Sequence, residues 1–255
     1  MRLIRYQTKT EPAQYGWLHD DNFGTVEGSP FGEFRRLEAT ISLDSVRLLP
    51  PVTPGKIICV GRNYAEHAKE HNAEVPLVPL LFLKPPSSVI GPLQTILLPP
   101  QSQQVEHEAE LAVVIGKRGR WIQPADVSSY ILGYTIGNDV TARDLQRKDG
   151  QWTRSKGFDT FCPLGPWIET EIDPFDIMIT CHVNGEMRQM ASTRDMVFRI
   201  GQLIAFASSI MTLEPGDVLL TGTPAGVSPL RSGDVVEVSI EGLGTLRNPV
   251  AVEQH

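Results

Sequence analysis

Cysteine is scarce in this 255-residue chain, and the few cysteines present form no recognisable pattern. The three residues, Cys59, Cys162 and Cys181, are odd in number and lie far apart. Such an arrangement argues against a disulfide framework, and it also lacks the spacing of a zinc site. We therefore expect three buried thiols in a reducing compartment, for which the cytoplasm is the default.

The sequence also lacks a long apolar run and a block of basic residues. Its 23 Lys and Arg against 30 Asp and Glu give a formal net charge of −7. A chain with this balance attracts neither nucleic acid nor an anionic membrane surface, so we expect neither partner. No run is long enough to span a bilayer, and the opening "MRLIRYQTKTEP" lacks the apolar core of a signal peptide.

The remaining composition is that of an ordinary globular protein, with 41% hydrophobic and 21% charged residues. A chain of this length can bury the core of one main domain and carry a small appendage. The prolines of "LLPPVTPGK" predict the boundary between them. We therefore divide the chain into a small N-terminal domain, residues 1–50, and a main domain, residues 51–255.

Beyond this boundary the pattern is mostly that of β-strands. The candidate strands are "KIICVG", "PLLFLK", "AELAVVIG", "YILGYTIGND", "IMITCHV", "DVLLTG" and "DVVEVSI". The pair Asn184-Gly185 predicts a tight hairpin. Two helices are expected, a short one in "NYAEHAKEH" and a longer one that begins near Ser192 with the capping-box-like "STRD". Many strands and few helices favour a β-rich, mixed α+β fold with a closed or rolled sheet.

The run "EHEAEL" places Glu106, Glu108 and Glu110 on alternate positions, so in a strand their side chains share one face. Like charges arranged in this way repel, and they need either a positive partner or open water. Asp139, at the end of another predicted strand, could join Glu108 and Glu110 as a third oxygen ligand. Such a set suits a hard cation such as Mg²⁺, Mn²⁺ or Ca²⁺. Spacing alone favours the alternative of a solvated strand face, because such glutamate pairs are common.

Three further segments carry polar groups that could take part in chemistry. His67 and Glu70 stand three positions apart on the short predicted helix, where the carboxylate could hold the imidazole as a general base. The segment "VTARDLQRKDGQWTRSKGFDT" offers Arg143, Gln146 and Lys156 as donors to an enolate or a carboxylate. The segment "LLTGTPAG" offers hydroxyl and backbone N–H groups that could cradle a carboxylate. Taken one at a time, each fits a solvated helix, a polar loop or a turn.

Taken together and in this order, the segments resemble the fumarylacetoacetate hydrolase family. The resemblance rests on "VGRNYAEH", "LFLKP", "HEAELAVVIGK", "GYTIGNDVTARD", the stretch around Lys156, "VNGEMRQ" and "LTGTPAGV", and it extends from Lys56 to the end of the chain. It implies a β-roll catalytic domain, usually in a homodimer. It also implies one Mg²⁺ or Mn²⁺ per chain, held by Glu108, Glu110 and Asp139. Residues 1–50 resemble the variable appendage of the bacterial members.

The resemblance further implies roles for the other candidates. His67 and Glu70 match a water-activating dyad, and Lys156 matches a catalytic donor that stabilises an enolate or an oxyanion. The positions that it indicates for substrate binding are Arg62, Arg143, Gln146 and Thr223. Fumarylacetoacetase itself has another metal carboxylate shortly before its catalytic histidine, whereas "KIICVGRNY" contains no acid. This departure points to the smaller relatives, which include acylpyruvate hydrolases, oxaloacetate decarboxylases and 2-hydroxyhepta-2,4-diene-1,7-dioate isomerases of aromatic catabolism.

The function that the resemblance favours is a metal-dependent hydrolase. It would cleave a C–C bond in a small 2-oxo or 1,3-diketo acid of the acylpyruvate type, through a metal-bound enolate. The alternative is an isomerase or decarboxylase that uses the same site, and a third possibility is a dimeric binding protein without activity. The sequence determines neither the substrate nor the choice between Mg²⁺ and Mn²⁺, because oxygen ligands suit both.

Overall fold

The computed structural model describes residues 1–254, and strands make up most of its regular structure. In chain order the strands are β1 (Arg2–Gln7), β2 (Gln14–His19), β3 (Asn22–Gly28), β4 (Phe34–Arg36), β5 (Ile41–Ser42), β6 (Arg47–Leu48), β7 (Ile57–Gly61), β8 (Leu80–Lys84), β9 (Val89–Ile90), β10 (Ile96–Leu98), β11 (Val105–Glu106), β12 (Ala109–Ile115), β13 (Ile131–Asn138), β14 (Thr141–Ala142), β15 (Cys162–Glu169), β16 (Met178–Val183), β17 (Glu186–Ser192), β18 (Val218–Leu220), β19 (Val235–Ile240) and β20 (Gly244–Val252). The α-helices are α1 (Ala65–Glu70), α2 (Arg143–Asp149), α3 (Thr153–Lys156) and α4 (Ile200–Ile210). The strand-rich α+β fold expected from the sequence is confirmed.

Most strands belong to one large sheet that packs against a smaller one. The large sheet has 13 strands along the path β4-β3-β2-β1-β15-β13-β12-β18-β7-β8, with β5, β6 and β9 attached at its sides. The smaller sheet follows the order β10-β20-β19-β16-β17, and β11 pairs separately with β14. One cluster of buried apolar side chains draws Ile136 from the large sheet and Ile179 and Val238 from the small one. The two sheets therefore share a core.

Strand β12 lies in the interior of the large sheet. It pairs antiparallel with β13 on one side and with β18 on the other. Every residue of its sequence "AELAVVI" is buried, as a continuous apolar run in a central strand requires. The only acid in this run is Glu110. Its side chain is thus fixed to one of the most enclosed elements of the fold.

The N-terminal strands continue the large sheet. Strand β1 pairs antiparallel with β15, and the amino group of Met1 forms an ion pair with Glu169 at 2.7 Å. A separate cluster of buried side chains lies within this region: Ile4, Tyr6, Leu18 and Phe23. The N-terminal unit therefore has its own small core although it shares a sheet with the main body. The division at residue 50 stays a prediction.

Several local predictions are confirmed. Asn184 and Gly185 join β16 to β17, and their φ angles of 53° and 79° are both positive, as a type I′ turn requires. The three cysteines are buried and free. The compartment expected from them stays a prediction. None of the helices described by the structure has both the length and the apolar character needed to cross a bilayer.

The helix predictions are correct only in part. The short helix in "NYAEHAKEH" is α1, but the described residues contain four α-helices where two were predicted. The additional ones, α2 and α3, occupy the polar segment for which a solvated loop was the alternative. That alternative is wrong, because Arg143 of α2 and Lys156 of α3 are buried and form ion pairs with buried carboxylates.

The longer helix begins later than predicted. A capping box is present at Ser192, but it caps only a 3-10 turn, Thr193–Asp195, and α4 starts at Ile200. The intervening chain is held extended by tertiary contacts. Met196 forms a β-bridge with Tyr64, and the backbone N–H of residue 198 donates to the side chain of Asn63 at 2.8 Å. These contacts with the segment before α1 override the local helical pattern.

Candidate metal and catalytic site

A pocket of about 210 Å³ opens beside the ends of β7, β12 and β13. All the residues to which the sequence analysis gave a metal-binding, catalytic or substrate-binding role, except Glu70, line it: Arg62, His67, Glu108, Glu110, Asp139, Arg143, Gln146, Lys156 and Thr223. Glu70 lies just behind, in contact with His67. The fold thus brings together residues that are far apart in the chain, although their individual roles stay predictions.

The three carboxylates proposed as metal ligands meet where β12 and β13 run side by side. The backbone N–H of Glu108 donates to the Asn138 side chain at 2.9 Å, and that of Asp139 donates to the Glu108 carbonyl at 2.9 Å. Carboxylate oxygens of Glu108, Glu110 and Asp139 lie within 4.8 Å of one another, and all three residues are buried. Hydrogen bonds between these neighbouring segments fix the positions of the acids.

Positive side chains stand in front of the acids, as the alternation of Glu106, Glu108 and Glu110 required. Lys156 Nζ lies 2.7 Å from oxygens of both Glu108 and Asp139. Lys84, at the end of β8, donates to Asp139 at 2.6 Å, and its side chain is fully buried. The alternating glutamates therefore face positive side chains, and not open water.

Arg143 joins two of the glutamates to the start of α2. Its Nε donates to Glu106 at 2.8 Å, and one terminal nitrogen donates to Glu108 at 2.6 Å. The other terminal nitrogen donates to the amide oxygen of Gln146 at 2.7 Å, so the amide NH₂ of Gln146 can turn toward the pocket. Arg143 thus holds the acids in place, and the substrate contacts predicted for Arg143 and Gln146 stay predictions.

The pKa values of Glu108 and Glu110 shift in opposite directions. Burial alone would raise the pKa of Glu108, but the charges of Lys156 and Arg143 outweigh it and hold that pKa well below its usual range. For Glu110, burial and the neighbouring Asp139 and Glu108 charges together raise the pKa well above its usual value. An incompletely neutralised carboxylate among other carboxylates is a favourable place for a cation. The residues present therefore fit a hard divalent ion such as Mg²⁺ or Mn²⁺.

A glycine makes the closest backbone contact to this site. The N–H of Gly222, in the segment after β18, donates to Glu110 at 2.7 Å. The φ of Gly222 is +97°, and a Cβ at this position would lie 2.7 Å from the Cβ of Asn63. Only glycine allows this segment to approach both the carboxylate and the turn after β7.

His67 faces the acids from α1 and is itself buried. Its Nδ1 lies 3.3 Å from Glu70, a contact that places the proton on Nδ1 and leaves the lone pair on Nε2. Burial is the main reason that the pKa of His67 is lowered. The Glu70 carboxylate also accepts the N–H of Gly226 at 3.1 Å, which attaches α1 to the segment after β18. The neutral imidazole is thus suited to accept a proton.

Thr223 is positioned by contacts within the protein. Its hydroxyl donates to the Ala109 carbonyl at 3.0 Å and accepts from Gln189 at 2.8 Å. A substrate carboxylate would have to displace the first of these bonds in order to receive the hydroxyl proton. The substrate contact predicted for Thr223 stays a prediction.

The sequence reasoning did not assign several residues that support the site. Lys84 belongs to "LFLKP". A lysine that ends an apolar strand directly before a proline was the signal that could have identified it. His107 points to the opposite face from its glutamate neighbours, and its ring contacts Gln189 at 3.0 Å and Ser228 at 2.9 Å. Gln189 also accepts the N–H of Ala109 at 3.1 Å. Period-two alternation predicts that His107 faces away, but it does not identify these partners.

Comparison with known proteins finds matching family profiles and similar relatives. The family profile described as "Fumarylacetoacetate (FAA) hydrolase C-terminal" matches residues 56–251, and the one described as "Rv2993c-like, N-terminal" matches residues 1–51. The mitochondrial oxaloacetate tautomerase Fahd2a of Rattus norvegicus is 48% identical over 231 residues, which cover 85% of this chain and 74% of that protein.

Solved structures are similar to this protein over nearly the whole chain. The 5-carboxymethyl-2-hydroxymuconate delta-isomerase of Mycobacterium smegmatis has a TM-score of 0.92 and 45% identity, covering 99% of this chain and 100% of its own. The 2-hydroxyhepta-2,4-diene-1,7-dioate isomerase of Mycobacterium marinum has a TM-score of 0.91 and 42% identity, covering 100% of both chains.

Proposed function

Because the chain belongs to the fumarylacetoacetate hydrolase family, we propose that it is a divalent-metal-dependent isomerase or tautomerase that acts on a small 2-oxo acid. The observation that carries this proposal is the buried group of Glu108, Glu110 and Asp139, flanked by Lys84 and Lys156. The named activities of the relatives support it, since a tautomerase and two isomerases all move a proton next to a carbonyl. This choice places proton transfer ahead of the C–C hydrolysis that the sequence favoured.

The charges of the site suit an anionic, enolisable substrate. If all four buried carboxyl groups of the site are ionised, as a bound cation would favour, they exceed its three buried cations by one negative charge: Glu106, Glu108, Glu110 and Asp139 against Lys84, Arg143 and Lys156. A bound Mg²⁺ or Mn²⁺ would reverse the sign and would supply Lewis-acid polarisation of the substrate's 2-oxo group. A positive, preorganised site stabilises the negative charge that develops on the oxygen of an enolate.

The protein's own residues divide the remaining tasks. Lys156 and Arg143 hold Glu108 in place, and Lys156 can share its charge with a developing oxyanion. The Nε2 atom of His67 accepts a proton from the substrate and returns it at another position. Glu70 keeps the imidazole in the tautomer that this requires. The amide NH₂ of Gln146 is placed to bind a substrate oxygen.

Hydrolytic C–C cleavage is the second candidate, and the His67–Glu70 contact of 3.3 Å is what favours it. A histidine paired with a carboxylate can equally take a proton from water, which would then attack the distal carbonyl of a diketo acid. The metal centre and the lysines would serve both reactions. The two functions therefore differ in whether water is consumed: hydrolysis adds it across the cleaved C–C bond, whereas tautomerisation only moves a proton.

An NMR experiment in D₂O separates the two functions. The Mg²⁺-loaded protein is incubated with oxaloacetate, acetylpyruvate, fumarylpyruvate and a hydroxymuconate-type dienoate, and deuterium exchange, isomers and cleavage products are followed together. Isomers or faster exchange without cleavage would support the tautomerase. Cleavage products that disappear in His67→Ala, while exchange persists, would support the hydrolase. If no substrate changes in the presence of either Mg²⁺ or Mn²⁺, both proposals fail.

A homodimer in the cytoplasm remains part of the proposal as an expectation from the family resemblance. Light scattering coupled to gel filtration at several protein concentrations would check the first point. A monomer at all concentrations would contradict it.

A further inference from the structure

A second group of side chains able to bind metal lies on α1. His67, Glu70 and His71 occupy positions i, i+3 and i+4 at the end of this helix, so they face the same way. Each offers a ligand atom within 4.8 Å of those of the other two. The two imidazole rings pack edge to face with their centroids 4.7 Å apart. The side chains therefore already converge.

The imidazole nitrogens of this group are largely free, whereas the Glu70 carboxylate already accepts the N–H of Gly226. The Nδ1 of His67 contacts only Glu70, and among the described residues its Nε2 and both ring nitrogens of His71 have no hydrogen-bond partner. Glu70 and His71 are exposed, so a cation can enter from solvent. Available lone pairs with an open approach are two requirements of a metal site that binds reversibly.

The donor types select a different class of cation from the carboxylate triad. Two imidazole nitrogens with one carboxylate suit Zn²⁺, Co²⁺ or Ni²⁺, whereas Mg²⁺ prefers oxygen ligands alone. A tetrahedral Zn²⁺ with bonds of about 2.1 Å would hold its ligand atoms about 3.4 Å apart. Side-chain rotations would have to bring the ligand atoms from their present spacing of at most 4.8 Å to this distance.

We propose that His67, Glu70 and His71 form a second metal site for a borderline cation such as Zn²⁺, and that its occupation inhibits the enzyme. A cation bound through either ring nitrogen of His67 leaves the imidazole proton on the other nitrogen, so no lone pair remains to act as the base, and the Glu70 carboxylate is occupied as well. The binding is independent of the reaction that the protein catalyses. The inhibition rests on the proposed function, because it requires His67 to be the base.

Calorimetric titration of the full-length protein with Zn²⁺, in saturating Mg²⁺, tests the binding. The wild type should bind one Zn²⁺, and His71→Ala should weaken the affinity at least about tenfold, since losing even an outer-shell partner costs that much. Glu66→Gln changes an exposed acid of the same helix outside the group, and His19→Ala removes a distant exposed histidine. Both controls should bind Zn²⁺ like the wild type.

Two outcomes would overturn the site. One is that the wild type binds no Zn²⁺ once Mg²⁺ is saturating. The other is an equal Zn²⁺ affinity in His71→Ala, which would place the cation in the carboxylate triad or elsewhere. The visible spectrum with Co²⁺ in place of Zn²⁺ adds a second measurement, because nitrogen ligands in a four-coordinate site give stronger absorption than the hexaaqua ion. Loss of this absorption is expected in His71→Ala and not in the controls.

Turnover measurements test the inhibition separately. With Mg²⁺ saturating, Zn²⁺ should inhibit the wild type, and His71→Ala, compared with its own rate without Zn²⁺, should need at least about tenfold more Zn²⁺ for the same fractional inhibition. If Zn²⁺ binds through His71 and turnover continues unchanged, the metal site stands. The inhibition is then refuted, together with the role of His67 as the base.

Discussion

The carboxylate triad and helix α1 approach one another in the same site, yet they are built in opposite ways. Glu108, Glu110 and Asp139 are buried at the junction of two paired strands, with positive side chains already in place. Helix α1 has six residues, and most of them are exposed. Groups fixed on the strands are preorganised, so they can stabilise developing charge without reorganising during the reaction. The proposed base, His67, lies by contrast on a short helix in which only His67 and Ala68 are buried.

The largest effect should come from breaking the triad. Glu110→Gln preserves the shape of the side chain but removes the charge that a divalent cation needs. We expect Mn²⁺ affinity to fall at least about a hundredfold and turnover to be lost. Removing a direct ligand should cost more than removing an outer-shell partner, which lowers metal affinity by about 10- to 100-fold. Calorimetric titration with Mn²⁺ measures the affinity, and Glu66→Gln is the matched control on α1. An unchanged affinity in Glu110→Gln would contradict the triad assignment.

A large effect on stability should come from the cation that supports the triad. Arg143→Met leaves Glu106 and Glu108 buried without their shared partner. Breaking a buried pair in this way costs about 3–5 kcal/mol, which urea denaturation can resolve. Arg154→Met removes an arginine from an exposed pair with Asp149 and should change the stability little. Similar effects from the two variants would show that the buried network is not a stability determinant.

A smaller difference should appear in hydrogen exchange of the unliganded protein. The amides of α1 should exchange at least about a hundredfold faster than those of β12, since exposed, sparsely packed elements open locally. A bound 2-oxo acid analogue such as oxalate should slow exchange in residues 63–74 if this segment closes over the substrate. Equal protection of α1 and β12, or no change on adding oxalate, would remove the contrast between the two regions.

The smallest effect concerns the pH dependence of the base. Burial is the main cause that lowers the pKa of His67 from 6.5, and the contact with Glu70 opposes it. A base must be unprotonated, so kcat/KM should rise with pH through a midpoint below 6.5 and then level off. Glu70→Gln removes the contribution that raises this pKa, so the midpoint should move lower by less than about one unit. A midpoint that moves upward, or one that stays in place, would contradict the pairing of His67 with Glu70.

Elements that depend on neighbouring residues could be predicted from the local sequence pattern, whereas those that depend on tertiary contacts could not. The strand "AELAVVI", the hairpin at Asn184-Gly185 and the short helix around His67 follow from residues next to one another, and all three were predicted. The helix expected from Ser192 begins only at Ile200, because Met196 and Phe198 bond to Tyr64 and Asn63. A contact between residues more than a hundred positions apart in the chain therefore sets where this helix begins.

By itself, the sequence pattern determined that Glu108 and Glu110 share one face of a strand and that Asp139 ends another strand, and the family resemblance implied that the three acids meet. Glu108 and Glu110 alternate at the start of a buried run, and Asp139 ends the neighbouring strand, so pairing of the two runs brings them together. Only the tertiary structure decided which cations face them. Lys84, Arg143 and Lys156 come from three other elements, and ion pairing between buried groups depends on distances that no local periodicity encodes.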